Sequence, residues 1–542
     1  VSKFDHRISW ALERAAVQYA DKEATVDIGT GERRTWSETR DRVSGVAAGL
    51  RDLGLDSGDR VGLLTLNSAR HLELWFAIPE GGMVMNDLNY RLAVEELVFI
   101  ANDSNIKVLF VDDTFLDAGR QVIERCDDMH TLVHMGPGTS PPDGTLAYDA
   151  LAATPKRNFP DLASGSGSGS GSGSDTVAAI FYTGGTTGLP KGAMLTHGNL
   201  TSNALHIIGA LHLDDNDRYL HCGPQFHLAD GAFAYGVTWT GGTHVFVPAF
   251  DPTGTIKVIE DERITSSLMV PTMVNMIIQS PDLTDADLSS LRAVLYGASP
   301  MPSSVQKAAI EAFGPIFAQG YGMTEASPLV TVLSLDAHRR GIAGEEPWTS
   351  RMQSAGSPVA GVRVEVRRDD GVTVCDVGEA GEIYVQGPNI MSGYWNRDEE
   401  TAHALVDGWY RSGDVAYADD GGYLFVVDRA KDMIISGGEN IYTTEVENAV
   451  YSHPSVLEAA AFGIPHEEWG ETVHVEVVTK PDSPLSADEL VEHCRNLIAG
   501  YKLPRSVNVR SADEPLPKSG AGKILKRDLR DPFWVGRERG VN

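Results

Sequence analysis

The stretch YTGGTTGLPKG, Tyr182 to Gly192, follows the apolar run Ala178 to Tyr182 and decides how this chain is read. From Thr183 to Lys191 it holds three glycines, three threonines and one lysine. Glycines let a backbone approach a polyphosphate, threonine hydroxyls donate hydrogen bonds, and Lys191 adds a positive charge. The spacing does not match G-x-x-x-x-G-K-[ST], so the P-loop NTPase reading fails at this loop. A plain turn seldom needs three threonines among its glycines, and a strand running into such a loop predicts a nucleotide site.

Working outward, helix and strand patterns alternate. Thr35-Trp36-Ser37-Glu38 reads as a capping box, Val43, Val46, Ala47 and Leu50 recur at helical spacing, and Gly54 closes the helix. Arg60 to Leu66, Val108 to Val111 and Ala178 to Tyr182 read as short buried strands. The alternation predicts an α/β fold with parallel-type sheets, whose ligand sites lie at the strands' C-terminal ends. Ser164 to Ser174 alternates Ser and Gly without a break. Such a segment behaves as a flexible coil, and its regularity reads as an engineered linker, so it enters no functional reading. A second boundary falls near Asp428 to Lys431. Beyond it, alternating strands such as His474 to Val478 and a helix from the capping box Ser486–Glu489 to Gly500 predict a small α+β domain. The domains expected are residues 1–428, a hinge at 429–431, and a mobile C-terminal domain at 432–542.

The 542 residues carry 45 Lys plus Arg against 75 Asp plus Glu, a net charge of −30. That balance excludes broad nucleic-acid binding and polybasic membrane anchoring, both of which need a basic face. With 42% apolar residues the chain can build extensive cores. No apolar run approaches the ~18 residues of a membrane span, and residues 1–16 lack the apolar block of a signal peptide, so a cytoplasmic location is expected. The four cysteines, Cys126, Cys222, Cys375 and Cys494, are scattered singly and read as buried reduced thiols rather than disulfides or a zinc site. Residues 501–542 hold ten Lys/Arg and five Asp/Glu, which suggests a local anion site on an acidic protein.

Further motifs follow in order. Gly320 to Ser327, GYGMTEAS, sets Thr324 and Glu325 side by side after a bend, and a carboxylate there suits magnesium with substrate phosphates. Gly408 to Asp414 (GWYRSGD) ends on the acidic Asp414, and DRAKD spans Asp428 to Asp432. SGGENIYTTEVE, Ser436 to Glu447, puts Gly437 and Gly438 before a helix read as capped by Thr444 and Glu447. PKSGAGKILKRDLR, Pro517 to Arg530, presents Lys523 on a glycine-rich tail. Together these resemble the adenylate-forming superfamily of acyl-CoA synthetases, firefly luciferases and peptide-synthetase adenylation domains, over nearly the whole chain.

The resemblance implies an AMP-forming acid:CoA ligase using ATP, Mg²⁺ and coenzyme A. It places ATP against Thr183, Gly184, Gly185, Thr186, Thr187, Lys191, Gly297, Ala298, Ser299, Tyr321, Asp414 and Arg429. Thr324 contacts phosphate, Glu325 binds Mg²⁺, Lys523 catalyses adenylation, and Lys431 is the hinge. Gly437, Gly438 and Glu439 line the CoA thiol tunnel, in a form closer to acyl-CoA synthetases than to luciferases. PQFHLADG, Pro224 to Gly231, supplies His227 as the acyl gate where amino-acid-activating relatives carry an aspartate, which implies a fatty or aryl acid without an α-amine. Asp230 nearby leaves that point open. Gly231, Tyr235, Tyr296, Gly322 and Met323 are expected to wall the acyl pocket. The partners implied are a small carboxylic acid, ATP and CoA, with no nucleic acid, no integral membrane segment, and a homodimer as an open alternative. Rival readings are a ligase that loads a carrier protein, a luciferase-like oxygenase, and a non-catalytic nucleotide-responsive binding protein.

Overall fold

The structure, a computed structural model, describes residues 7–157, 159, 173–183, 190–299, 301–429, 432–436, 439–467, 469–495, 497–518 and 524–535. Local signals set its first layer. The Thr35 side chain accepts from the Glu38 amide at 3.2 Å while the Glu38 carboxylate accepts from the Thr35 amide at 2.8 Å, and this reciprocal cap starts the helix Trp36–Asp52. Gly54, at φ +90, turns the chain after the helix ends. The strand expected from Arg60 to Leu66 stops at Leu64. Thr65 then bonds His71 at 2.7 Å and the Leu66 amide turns to Asp112 at 2.7 Å, so both leave the ladder.

Two large sheets carry the first 360 or so residues. One has eight strands, with Arg60–Leu64, Val84–Asp87, Ile106–Val111, Thr131–His134 and Val177–Thr183 parallel, then Lys191–Thr196 and Gly393–Tyr394 antiparallel at one edge. The other has nine, with Glu23–Asp27, Thr243–Phe246, Arg218–His221, Ser266–Leu268, Ala293–Gly297 and Phe317–Gly322 parallel, and Leu329–Leu333 antiparallel beyond them. A third sheet joins Arg363–Arg367, Gly381–Gln386, Trp409–Ala418, Leu405–Val406 and Leu424–Arg429. The protein is thus α/β with parallel-type sheets. A fourth sheet of five strands, with helices Thr443–Tyr451 and Ala487–Arg495, is built from residues 434–510 around its own core of Ile434, Val446, Val475 and Leu490.

Two expectations there are corrected. The regular helix that begins after Ser486, whose Oγ accepts from the Glu489 amide at 3.2 Å, extends to Arg495, and Gly500 opens a separate 3-10 turn, Gly500–Lys502. The helix Thr443–Tyr451 has Tyr442 at its N-cap with no side-chain cap of its own, because Thr444 and Glu447 bond elsewhere. Of the four thiols, Cys126, Cys222 and Cys494 are buried and Cys375 is half-buried. Gly173 and Ser174, the end of the Ser/Gly segment, lie in a 3-10 turn, Gly173–Asp175. Among the described residues no helix is long and apolar enough to cross a membrane.

Buried histidines couple this fold to pH. Gln306 Nε2 donates to the Tyr296 hydroxyl at 2.8 Å, the hydroxyl faces His338 Nε2 at 3.1 Å, and His338 Nδ1 faces the Ser334 carbonyl at 3.0 Å. Only a neutral ring, with its proton on Nδ1, accepts from Tyr296 and donates to Ser334. Burial accordingly pushes His338 down to about 4 and His197 down to about 3. Both folded values lie below the ordinary histidine range near ~6.5, so the unfolded chain takes up protons first. The stability these rings contribute is complete above that range and is lost as pH falls from ~6.5 toward the folded values. Denaturant melts should therefore show falling unfolding free energy between pH 7.5 and 5. In His338→Leu that slope should be shallower by up to about 1.4 kcal/mol per pH unit.

Candidate active site

The strands Val177–Thr183 and Lys191–Thr196 pair antiparallel with Thr183 opposite Lys191. The two ends of the quoted loop are therefore cross-strand neighbours. Gly184, Gly185, Thr186 and Thr187 lie outside the described residues. Gly393–Tyr394 adds a third strand, with Tyr394 opposite Ala193 and the Trp395 amide donating to the Gly192 carbonyl at 2.8 Å. Lys191 Nζ sits 5.5 Å from the centre of the Tyr394 ring.

From the other sheet, Phe317–Gly322 runs into a 3-10 turn, Thr324–Ala326. Gly322 is required there, since a Cβ would lie 1.8 Å from the Pro328 carbonyl oxygen. Asn389, fully buried, fastens the turn by donating to the Ala326 and Leu329 carbonyls at 2.8 and 2.9 Å. Thr324 is half-buried at the mouth of the turn, and Glu325 is 9% exposed. Glu325 Oε1 accepts from the Tyr394 hydroxyl at 2.8 Å, and Tyr321 donates to Asp414 Oδ2 at 2.7 Å. Asp414 stands opposite Arg429 across the pair Trp409–Ala418 and Leu424–Arg429.

Four segments far apart in sequence thus converge: Lys191, Tyr321 to Glu325, Tyr394 and Asp414. Tyr394 and Tyr410 are pushed well above the usual phenol range by burial first and by the Glu325 charge second, so both remain protonated donors. The arrangement offers one cation and two carboxylates around a common space, which suits a polyphosphate, a hard divalent ion and a diol. Neither Tyr394, Tyr410 nor Asn389 was singled out by sequence reading. The signal that could have found Tyr394 is the Gly393-Tyr394-Trp395 pattern, an aromatic pair behind a glycine in a short edge strand.

At the end of the neighbouring strand Ala293–Gly297, a Cβ on Gly297 would lie 2.3 Å from the Gly320 carbonyl oxygen. Ala298 holds φ +62, a strained backbone for a residue with a side chain, of the kind kept at ligand clamps. Ser299 follows it, and this strand end lies beside the one carrying Tyr321.

His227 caps the short helix Leu228–Gly231, its Nδ1 accepting from the Ala229 amide at 3.1 Å. Burial, reinforced by the Arg91 charge, lowers it to about 4, so it is neutral at pH 7 with its proton on Nε2. A Cβ on Gly231 would lie 2.3 Å from the Trp75 ring. Tyr235 is fully buried against Trp75 and Phe76, Tyr296 is spent on Gln306 and His338, and Met323 packs on the main core. Asp230 is 1% exposed, with Oδ1 accepting from Tyr219 at 2.8 Å and Oδ2 facing His221 Nδ1 at 2.9 Å.

Lys431, Gly437, Gly438 and Lys523 lie outside the described residues, and of Glu439 only the backbone is described, paired with Ser436. Their surroundings are well built. Asp428, the first residue of the DRAKD motif, is buried at 5% exposure. It accepts from the Thr443 amide at 2.6 Å and the Thr443 hydroxyl at 3.2 Å, capping the helix Thr443–Tyr451 from another strand. Lys526 Nζ donates to Thr443 Oγ1 at 2.6 Å and lies 2.8 Å from Glu447 Oε1. The tail that follows Lys523 is thereby tied to the strand that ends at Arg429.

Comparison with known proteins agrees with this geometry. Residues 12–395 match the family model described as AMP-binding enzyme, and residues 445–523 match the AMP-binding enzyme C-terminal domain. The chain is 40% identical over 526 residues to a feruloyl-CoA synthase of Amycolatopsis sp, covering 97% of this chain and 98% of that protein. It is 35% identical over 532 residues to a long-chain-fatty-acid–CoA ligase of Thermus thermophilus, covering 96% and 94%. The solved structure of ATP-bound MatB from Rhodopseudomonas palustris superposes with a TM-score of 0.84 at 28% identity, over 98% of this chain and 99% of that one. The chain belongs to the AMP-binding enzyme family. It is an adenylate-forming ligase.

Asp428→Ala should remove the cap of Thr443–Tyr451 at a cost of about 1–2 kcal/mol. Hydrogen exchange of the amides in that helix should accelerate roughly 5–30-fold, while the amides of Trp36–Asp52 keep their rates.

Proposed function

We propose that this enzyme activates a carboxylic acid with ATP as its acyl-adenylate and passes the acyl group to the CoA thiol, releasing AMP. The observation that carries the reading is the convergence of Lys191, Glu325 and the Tyr321–Asp414 pair from three separate sheets. Asp414, opposite Arg429, holds the ribose, with Tyr321 beside the adenine and the Gly297–Ser299 strand end beneath it. Thr183 to Thr187, Thr324 and Lys191 bind the phosphates.

Glu325 fits a hard divalent cation, since one carboxylate oxygen is held by Tyr394 and the group sits beside the phosphate-side lysine. Bound there, Mg²⁺ would neutralise phosphate charge. The substrate carboxylate attacks the α-phosphorus in line and pyrophosphate leaves. The protein's share is orientation and stabilisation of the developing charge by Lys191, the threonines and Lys523. The thiol then attacks the acyl carbonyl and AMP departs. Rotation of residues 432–542 about Lys431 exchanges Lys523 for the Gly437–Gly438 tunnel, a gating step that also excludes water from the anhydride.

The substrate is a fatty or aryl acid without an α-amino group. Asp230, the one acidic side chain of the Pro224–Gly231 segment, has both oxygens engaged by Tyr219 and His221, so it is not available to an ammonium. A neutral His227 in its place carries no charge that an amino acid would need. Incubation with ATP, Mg²⁺, CoA and a pool of hydroxycinnamic, benzoic and fatty acids should yield an acyl-CoA with stoichiometric AMP by mass spectrometry. Acyl-AMP that persists without thioester would instead favour loading of a carrier protein. Lys523→Ala should slow acyl-adenylate formation roughly 100-fold or more, while thioester formation from supplied acyl-AMP keeps its rate. Equal loss of both half-reactions would sink the Lys523 role.

A further inference from the structure

We propose that Tyr394 is a positioning residue that holds Lys191 and Glu325 apart across the phosphate site, and so sets the affinity of the enzyme for the divalent cation that accompanies ATP. The proposal rests on the ligase reading above. A lysine and a glutamate bordering one space tend to collapse into an ion pair, which would neutralise the cation meant for phosphate and the carboxylate meant for metal. Among the described residues neither side chain has an ion pair. Tyr394 stands between them and engages each without neutralising either. Its ring face attracts the Lys191 ammonium at 5.5 Å from the ring centre, and its hydroxyl donates to Glu325 Oε1 at 2.8 Å. One carboxylate oxygen is thereby pinned, which orients the other.

The side chain is itself held from several directions. Its backbone pairs with the Lys191–Thr196 strand at Ala193, and its amide donates to Thr401 Oγ1 at 2.9 Å. The residues after it fasten both stems of the Gly/Thr hairpin. The Trp395 amide holds Gly192 on one stem. On the other, Arg397 bonds Asp103 Oδ1 at 2.8 Å while Tyr182 bonds Asp103 Oδ2 at 2.6 Å. Gly393 to Arg397 is a strap across the hairpin, and Tyr394 is the part of it that reaches the Thr324–Ala326 turn.

The test is equilibrium binding of ATP without acid, so that no turnover occurs, by calorimetry over a range of Mg²⁺ concentrations. Tyr394→Phe keeps the ring and removes the hydroxyl. It should raise the half-saturating Mg²⁺ concentration about fivefold or more, leave metal-free ATP binding in EDTA unchanged, and leave the melting temperature close to that of the parent. Tyr394→Leu should add a weakening of metal-free ATP binding by about threefold, through the freed Lys191. In a Glu325→Gln background, Tyr394→Phe should have no further effect on Mg²⁺ dependence. An unchanged Mg²⁺ dependence in Tyr394→Phe overturns the assignment, as does the same shift persisting in the Glu325→Gln background. A parent protein that binds ATP without any Mg²⁺ dependence overturns the ligase reading of the site and this inference with it.

Discussion

Parallel strands all leave their sheet at the same end, and the polar loops that follow them must gather there. That constraint governs this protein twice over, once for each large sheet. Val177–Thr183 releases the Gly/Thr hairpin, and Phe317–Gly322 releases the Thr324–Ala326 turn. The two sheets pack through a shared apolar core that includes Trp75, Phe181, Tyr235 and Leu329, so their loop ends meet. Everything chemical follows from that meeting: Lys191 comes from one sheet and Glu325 from the other, and Tyr394 touches both.

The same economy appears where the C-terminal region joins. Asp428 ends up buried because it caps a helix that begins fifteen residues later, an arrangement no local pattern announces. Thr443 passes the contact on to Lys526, and Lys526 to Glu447. One buried carboxylate, one hydroxyl and one ammonium thus anchor the residues that follow Lys523, through charge-assisted bonds stronger than neutral ones.

Buried polar groups near His227 are occupied by partners within the fold. Asp230 looks, in sequence, like a carboxylate beside the acyl gate. In the fold it is committed to Tyr219 and His221, and beyond them His221 Nε2 faces His244 Nδ1 at 3.0 Å. Displacing those partners in a desolvated core would be costly.

The sequence by itself determined the α/β class, the capped helix at Trp36–Asp52, the strand before the Gly/Thr loop and the family, because each rests on local pattern: a reciprocal cap, an apolar run, a motif whose residues are contiguous. It also pointed to Tyr321, Glu325 and Asp414 as one site, through motifs that are short and distinctive. It misplaced the cap of Thr443–Tyr451, whose acceptor lies on another strand, and it overran the helix that stops at Arg495. It was silent on Tyr394, Asn389 and Asp103, whose importance is a matter of what they touch across 60 or more residues of chain. The tertiary structure alone decided which tyrosine separates the site's charges, which aspartate is spent on neighbours in the core, and which lysine anchors the tail. Hydrogen bonds and ion pairs between distant segments depend on register and packing, and those are set only when the sheets close on one another.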